Sequence, residues 1–183
     1  MSKVKTITLN DGVKIPILAF GTGTAQAWTD TSSVVGMALQ KGYRHFDCAW
    51  HYKNAVYTGK ALRDSGIPRE DIFVTCKIGS FEDDPREFDA RKFMDDFSKF
   101  GVGHVDLLLV SDMRLLHADI LVGSVTHAWR QMESIKKGGL TRSIGVSNFS
   151  ARSLEEILRM CEIKPSINQI EFHPYALPTY LPT

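Results

Sequence analysis

The stretch RHFDCAWHYKNAVYTGKALRDSGIPREDIFVTCK, residues 44–77, decides the fold class of this chain. Its short segment at residues 44–48 predicts a strand, and the amphipathic run at 54–65 that follows it predicts a helix. Gly66 comes directly after the helical pattern, at the position where a glycine commonly ends a helix. An apolar run at 72–77 predicts another strand. A strand, a helix and a strand in this order are typical of a parallel βαβ unit.

The same alternation continues on both sides of this unit. The predicted strands are residues 17–21, 44–48, 72–77, 105–110, 143–146 and 167–172, and the predicted helices are residues 31–41, 54–65, 85–100, 122–137 and 150–161. Ser150 is the predicted N-cap of the last helix. Ahead of the first strand, residues 6–9 and 13–15 flank the turn sequence Asn10-Asp11-Gly12. This apolar–turn–apolar pattern predicts a short β-hairpin.

Strands and helices that alternate at this spacing predict a parallel sheet with right-handed crossovers, hence a doubly wound sheet or a (β/α) barrel. The segment Gly21-Thr22-Gly23-Thr24 lacks the third glycine of a dinucleotide-binding GxGxxG motif, so the barrel is favoured. A complete (β/α)8 barrel needs about 250 residues. With 183 residues, we expect a single partial α/β domain over residues 1–183. We expect it to be an incomplete (β/α)8 TIM barrel of about six strands with an N-terminal β-hairpin.

Composition and charge exclude several classes of function. The chain is 43% hydrophobic, and its 22 basic and 21 acidic residues leave a net charge of +1. It therefore lacks the excess of positive charge by which proteins bind nucleic acid. No stretch approaches the roughly 18 apolar residues of a membrane span, and the N-terminal MSKVKT lacks the apolar core of a signal peptide. Cys48, Cys76 and Cys161 are too widely spaced for a disulfide framework or a zinc site. We expect a cytoplasmic protein that binds small molecules and no metal, nucleic acid or membrane.

Polar side chains gather where the predicted strands end, which is where a barrel carries its active site. These residues are Asp47, Tyr52, Lys77, Ser147, Asn148 and Gln169. Each alone has an ordinary explanation, because aspartates cap turns, tyrosines pack, lysines are solvated, and Ser147-Asn148 can cap the helix over residues 150–161. Their conjunction at one end of one barrel indicates a catalytic site.

A series of motifs in this order resembles the aldo-keto reductase family. The motifs are FDCA at 46–49, YKN at 52–54, FVTCK at 73–77, SIGVSNF at 143–149 and NQIEFHP at 168–174. The resemblance runs from about Thr6 to Tyr180, nearly the whole chain. It implies an NADP-dependent oxidoreductase that uses NADPH to reduce the carbonyl group of small aldehydes, ketones or sugars to an alcohol.

Three residues match catalytic positions of the family. Tyr52 matches the tyrosine that donates a proton to the carbonyl oxygen. A phenol with its usual pKa near 10 is a weak acid at neutral pH, and an ammonium beside it stabilises the phenolate and lowers that pKa. Lys77 fits this role. Asp47 matches the aspartate that pairs with the lysine and holds it in place.

The resemblance also implies NADPH or NADP+ as the cofactor. Ser147, Asn148 and Gln169 match residues that hydrogen-bond the nicotinamide carboxamide, with Asp47 in the same site. Thr22 matches a threonine near the ribose and pyrophosphate. The family clamps the adenosine phosphates with residues around its seventh and eighth strands, and the printed sequence holds none of them. We therefore expect NADPH to bind more weakly than it does in the family.

The sequence departs from the family at Ser111, where the family carries a histidine directly after its fourth strand. A serine donates one hydrogen bond but is shorter than an imidazole. By analogy with the loss of one oxyanion donor, we expect a rate penalty of roughly 10²–10³. His117 in the following loop is more simply a solvated residue. Ser111 and Trp50 are the residues expected at the substrate pocket, and the loop residue Trp28 could also border it.

Two functions stay open at this point. One is a reductase whose activity is impaired by Ser111 and by the two absent βα units. The other is a non-catalytic remnant or interaction module with weak or no cofactor binding. Six parallel strands cannot close as eight do, so the first and sixth strands keep unpaired backbone groups. Such open edges permit self-association of the chain.

Overall fold

The computed structural model describes residues 4–79, 88–90, 92–93, 100–111 and 124–175. The strands are β1 (Thr6–Thr8), β2 (Lys14–Pro16), β3 (Phe20–Gly21), β4 (His45–Ala49), β5 (Phe73–Ile78), β6 (Val105–Ser111), β7 (Thr141–Ser147) and β8 (Asn168–Gln169). The helices are α1 (Ser32–Gln40), α2 (Ala55–Asp64), α3 (Ser124–Lys137) and α4 (Ala151–Met160), with single 3₁₀ turns at Thr24–Gln26, Trp50–Tyr52 and Arg69–Asp71. Strands β1 and β2 pair antiparallel, and β3 to β8 form one parallel sheet in chain order.

This arrangement confirms the incomplete barrel of six strands predicted from the sequence. Both outer strands are shorter than predicted, because the sheet includes only Phe20–Gly21 of residues 17–21 and only Asn168–Gln169 of residues 167–172. In the described part of the chain each outer strand has a neighbour on one side only. Fewer ladder hydrogen bonds therefore hold it. Most of the helix predicted over residues 85–100 lies outside the described residues.

The predicted β-hairpin is confirmed, and it packs against the start of the barrel strands. Gly12 at its turn has a φ of +85°, a conformation that glycine adopts without strain. Leu9 and Ile15 of the hairpin belong to a buried cluster with Phe73 and with Leu107 of β6. The hairpin therefore covers the end of the sheet opposite to the C-terminal ends of the strands.

An ion pair with α3 and a hydrogen bond to β7 fasten this hairpin. The Asp11 carboxylate accepts hydrogen bonds of 2.7 Å from Lys136 Nζ and 2.7 Å from Ser143 Oγ. Burial alone would raise the pKa of Asp11, but the hydrogen bonds to Lys136, Ser143 and Val13 outweigh it and lower that pKa. Asp11 is therefore a carboxylate at neutral pH, and its charge is part of what holds the hairpin.

The main core lies between the sheet and its helices. Alternate strand residues such as Phe46, Val74 and Leu108 are completely buried there. Cys48 and Cys76 face the same layer as free thiols, and burial raises the pKa of Cys48 to about 12, so it is an unreactive thiol. Because successive strand residues point to opposite faces, the residues between these positions face the barrel centre.

The helices end and begin largely as their sequences predict. Ser150 is the N-cap of α4, and its hydroxyl accepts a hydrogen bond of 3.2 Å from the backbone N–H of Ser153, as predicted.

Trp129 of α3 is completely buried and donates its indole N–H to the carbonyl of Ile163 at 3.0 Å. Within the described ranges, no helix has the length and apolar character needed to cross a membrane.

Candidate active site

Seven of the predicted site residues line one cavity at the C-terminal end of the parallel sheet. The cavity has a volume of about 380 Å³. Its lining residues are Asp47, Ala49, His51, Tyr52, Lys77, Gly79, Ser111, Ser147, Asn148, Gln169, Ile170 and Glu171. The strand register explains this meeting, because Ser111 pairs with Ser147 and Ser147 pairs with Gln169 across neighbouring strands. A parallel sheet thus brings residues distant in sequence to one edge.

A buried ion pair forms one wall of the cavity. Lys77 Nζ donates to Asp47 Oδ1 at 2.6 Å, and the two side chains are only 11% and 18% exposed. Burial alone would lower the pKa of the Lys77 ammonium, but the charge of Asp47 and the hydrogen bond to Asp47 outweigh it and raise that pKa. Lys77 is therefore a fixed cation at neutral pH.

Tyr52 lies next to this cation. It closes the 3₁₀ turn Trp50–Tyr52 that follows β4, and Lys77 Nζ lies 5.4 Å from the centre of its ring. The sequence predicts that Lys77 lowers the pKa of this phenol, and the charge and hydrogen bond of Lys77 do act in that direction, but the net shift of the pKa is upward. Burial raises the pKa of Tyr52, and the charge and hydrogen bond of Lys77 offset only part of the increase. The phenol therefore carries its proton at neutral pH.

Polar groups suited to an amide ligand line the other side of the cavity. Ser147 ends β7 and is 3% exposed, and Gln169 lies beside it in β8. Within the described part of the chain, neither the Ser147 hydroxyl nor the Gln169 side-chain amide has a hydrogen-bond partner. Asn148, at a φ of +61°, is held in a left-handed conformation by a bond from its N–H to the Gln169 carbonyl at 2.9 Å. Together these residues offer donors and acceptors that fit a carboxamide such as that of nicotinamide.

Two predicted site residues lie elsewhere. Trp50 packs edge-on against Phe93, with 4.9 Å between ring centres, and Lys53 Nζ lies 3.1 Å from the centre of its ring. Thr22 is completely buried, and its hydroxyl and N–H donate to the Asp47 carbonyl at 3.2 and 3.0 Å. Neither is among the described residues that line the cavity. Thr22 instead fixes the chain after β3 to β4.

Ser111 ends β6 and lines the cavity, half-buried, next to Ser147. His117, the loop residue considered beside it, lies outside the described residues. His51 and Glu171 also line the cavity, and no pattern in the sequence singled them out. His51 precedes Tyr52 in the same turn, and its ring contacts Trp28 edge-on with 5.3 Å between centres. Its place beside the predicted proton donor is the signal that could have found it.

Known proteins are similar to this chain over most of its length. A family model described as the aldo/keto reductase family matches residues 18–180. Glycerol 2-dehydrogenase (NADP(+)) of Hypocrea jecorina is 34% identical, over 93% of this chain and 61% of that protein. Glyoxal reductase of Bacillus subtilis is also 34% identical, over 92% of this chain and 58% of that protein.

Solved structures agree with the sequence matches. A crystal structure of an aldo/keto reductase from Brucella melitensis has a TM-score of 0.80 and 37% identity, covering 94% of this chain and 64% of that one. A Bombyx mori aldo-keto reductase solved in complex with NADP has a TM-score of 0.78 and 31% identity, covering 94% and 59%. This chain thus spans about three fifths of the length of these relatives. The family match over residues 18–180, on a sheet with this strand order, shows that the chain belongs to the aldo/keto reductase family.

Proposed function

We propose that this chain is an NADPH-dependent reductase of small carbonyl compounds, with Tyr52 as the proton donor. One observation carries the proposal. A protonated, largely buried phenol lies beside the Lys77–Asp47 ion pair, in the wall of a cavity whose other side offers the Ser147 hydroxyl and the Gln169 amide. Pockets with a few converging polar groups and perturbed titratable residues are typical of active sites. The named reductases and dehydrogenases among the relatives support the reaction class.

The cofactor fits the polar side of the cavity. Ser147, Asn148 and Gln169 would hold the carboxamide of NADPH, which supplies the hydride for the carbonyl carbon when it is bound. The backbones of Ser147 and Gln169 are already paired in neighbouring strands, so little backbone entropy is lost when the two side chains bind a ligand. Asp47 lines the same cavity, and Thr22 contributes by holding the chain against the Asp47 carbonyl.

Proton transfer follows from the electrostatics of the cavity. Burial keeps the proton on Tyr52 until the carbonyl oxygen gains negative charge. As the phenol O–H bond breaks, the Lys77 ammonium stabilises the phenolate that forms. Asp47 holds the ammonium in position through its bond of 2.6 Å. Since solvent reaches the cavity, water can return a proton to Tyr52 after each turnover.

Ser111 belongs to the substrate side of this cavity and sets a limit on the rate. We expect Ser111→His to raise kcat/KM for a small aldehyde by about tenfold or more, because an imidazole reaches farther and can orient the carbonyl oxygen. The measurement is aldehyde-dependent NADPH oxidation. Ser111→Ala is the matched control and should lower the rate if the hydroxyl donates to the substrate. If neither variant changes kcat/KM, this position takes no part in orienting the substrate.

The proposal as a whole is tested by NADPH binding and turnover. Fluorescence titration of the 183-residue chain should show saturable binding of NADPH. Gln169→Leu should weaken that binding, because it removes both the donor and the acceptor of the amide. The matched control is Gln40→Leu, at the exposed end of α1, which should leave binding unchanged. A folded chain that binds no NADPH at millimolar concentration would contradict the proposal.

A second candidate is a non-catalytic interaction module. One observation favours it, namely that Ser111, which is shorter than a histidine, lines the cavity. In the described part of the chain, β3 and β8 each have one open edge, through which the chain could associate with itself. Loss of NADPH binding together with concentration-dependent oligomers in light scattering would favour this candidate over the reductase.

A further inference from the structure

Gly23 lies directly against the ring of Tyr52. A Cβ atom built on Gly23 would be 2.5 Å from Tyr52 Cζ and 2.7 Å from its hydroxyl oxygen. Carbon atoms of folded proteins pack at about 3.5–4.0 Å, so any side chain at this position would collide with the phenol. The absence of a side chain at Gly23 is therefore what allows Tyr52 to occupy its place.

Hydrogen bonds fasten the segment that carries Gly23 to the turn that carries Tyr52. Asn54 Nδ2 donates to the carbonyl of Thr22 at 2.7 Å and to that of Gln26 at 2.8 Å. The N–H of Trp28 donates to the carbonyl of Tyr52 at 2.8 Å. Asn54 is 1% exposed, so water does not compete for its two bonds. The segment Thr22–Gln26 is thus held at a fixed distance from the tyrosine turn.

The Asn54 side chain bonds the Gly23 segment and does not cap its own helix, α2. It occupies the N-cap position of α2, where an asparagine side chain usually accepts a hydrogen bond from the first turn. Its side chain makes no such bond here, and Asn54 Oδ1 is buried without a partner among the described residues. A buried, unpaired acceptor is destabilising and calls for an explanation. Orientation of both amide hydrogens toward the Gly23 segment provides one.

We propose that Gly23 and Asn54 are positioning residues for Tyr52. The segment Thr22–Gln26, fastened by Asn54, forms a surface behind the phenol that fixes its hydroxyl relative to the Lys77 ammonium. The catalytic consequence rests on the proposed reductase function, whereas the placement of the ring does not. Because a misplacement of about 1 Å at a reacting group can cost about 10²-fold in rate, this surface determines how well Tyr52 delivers its proton.

Gly23→Ala tests the proposal by displacing the phenol ring. The atoms that the new methyl would meet are the far end of the Tyr52 side chain, so the ring moves and the backbone stays. We expect kcat to fall by about 10²-fold while KM for NADPH stays unchanged. Gly36→Ala on α1 is the matched control, since no described atom lies within 4 Å of a Cβ there.

A second readout follows the phenol itself and needs no turnover. In protein labelled with [¹³Cζ]tyrosine, the Tyr52 resonance can be assigned with Tyr52→Phe, and its titration midpoint reports its distance from Lys77 and from solvent. We expect Gly23→Ala to shift this midpoint and Gly36→Ala to leave it in place. Wild-type kcat and an unshifted midpoint in Gly23→Ala would overturn the proposal. If the wild-type chain turns nothing over, the proposed function fails, and the titration still decides the positioning role.

Asn54→Ser gives an independent test if Gly23→Ala does not fold. The shorter side chain removes both bonds to the Gly23 segment, so the Tyr52 midpoint and kcat should change in the same direction as in Gly23→Ala. The control is Asn10→Ser, which removes one exposed bond of 2.8 Å to the Pro165 carbonyl, at the hairpin end of the sheet. Equal kinetics and equal midpoints in the two serine variants would overturn the role of Asn54.

Discussion

Tyr52→Phe will lower aldehyde-dependent NADPH oxidation by roughly 10³-fold. The substitution removes only the hydroxyl, so the ring keeps its packing against Gly23 and the fold should be unaffected. The carbonyl oxygen then gains its negative charge without a proton donor beside it. NADPH affinity should stay unchanged, because the residues proposed to hold the carboxamide lie at the end of β7, directly after it and on β8. Single-turnover rates and fluorescence titration of the same protein measure both quantities.

Tyr57→Phe is the matched control for this prediction. It removes an equivalent hydroxyl from α2, where Tyr57 is 41% exposed, and it should keep full activity. The wild-type enzyme should also lose no activity through Tyr52 between about pH 6 and 9, because burial raises the pKa of this phenol above its usual value near 10. Comparable rates in Tyr52→Phe and wild type would rule out Tyr52 as the proton donor.

The sequence predicts most of this cavity because strand order carries the information. Ser111 and Ser147 end their strands, Lys77 is the next-to-last residue of β5, and Asp47 lies two residues before the end of β4. In a parallel barrel the C-terminal ends of the strands share one edge. The position of each strand end can be read from apolar runs and the residues that interrupt them. No contact between side chains has to be known to infer that such residues meet.

The same reasoning does not predict the side-chain contacts of residues in loops. Trp50 follows β4 directly, yet its ring packs against Phe93 from another βα unit, and nothing local indicates that choice. The hydroxyl of Thr22 is likewise taken by the carbonyl of Asp47. The direction of a loop side chain depends on which partners the tertiary fold brings to it, and those partners are distant in sequence.

The pKa of Tyr52 shows a second limit of sequence reasoning. The neighbouring lysine can be inferred from strand order, and its effect on the phenol has the predicted sign. The larger effect is burial, which depends on how the Trp50–Tyr52 turn packs under the Thr22–Gln26 segment. The close approach of Gly23 to the ring also cannot be predicted from the sequence, because glycine in a loop has many other uses.

Lys77→Met will destabilise the protein and inactivate it, and the two effects can be separated. Removal of the ammonium leaves the Asp47 carboxylate, 18% exposed, without its cation. Breaking a fully buried pair costs about 3–5 kcal/mol, and the partial exposure of this one reduces the expected loss in unfolding free energy to roughly 2 kcal/mol. Activity should fall by about 10² or more, because the phenolate of Tyr52 is no longer stabilised. Urea denaturation and the NADPH oxidation assay measure the two losses.

The double variant Lys77→Met/Asp47→Asn separates charge burial from catalysis. Replacing the unpaired carboxylate with a neutral amide should restore most of the unfolding free energy, whereas activity should stay low because the cation is still missing. Lys60→Met is the control, since its ion pair with Asp64 on α2 is exposed, 62% and 60%, and surface pairs contribute little. If the double variant regains activity, the charge of Lys77 is not needed for proton transfer. If the unfolding free energy of the double variant stays low, the loss comes from the packing of the Lys77 methylene chain. Packing then contributes more to the stability of the cavity than the ion pair does.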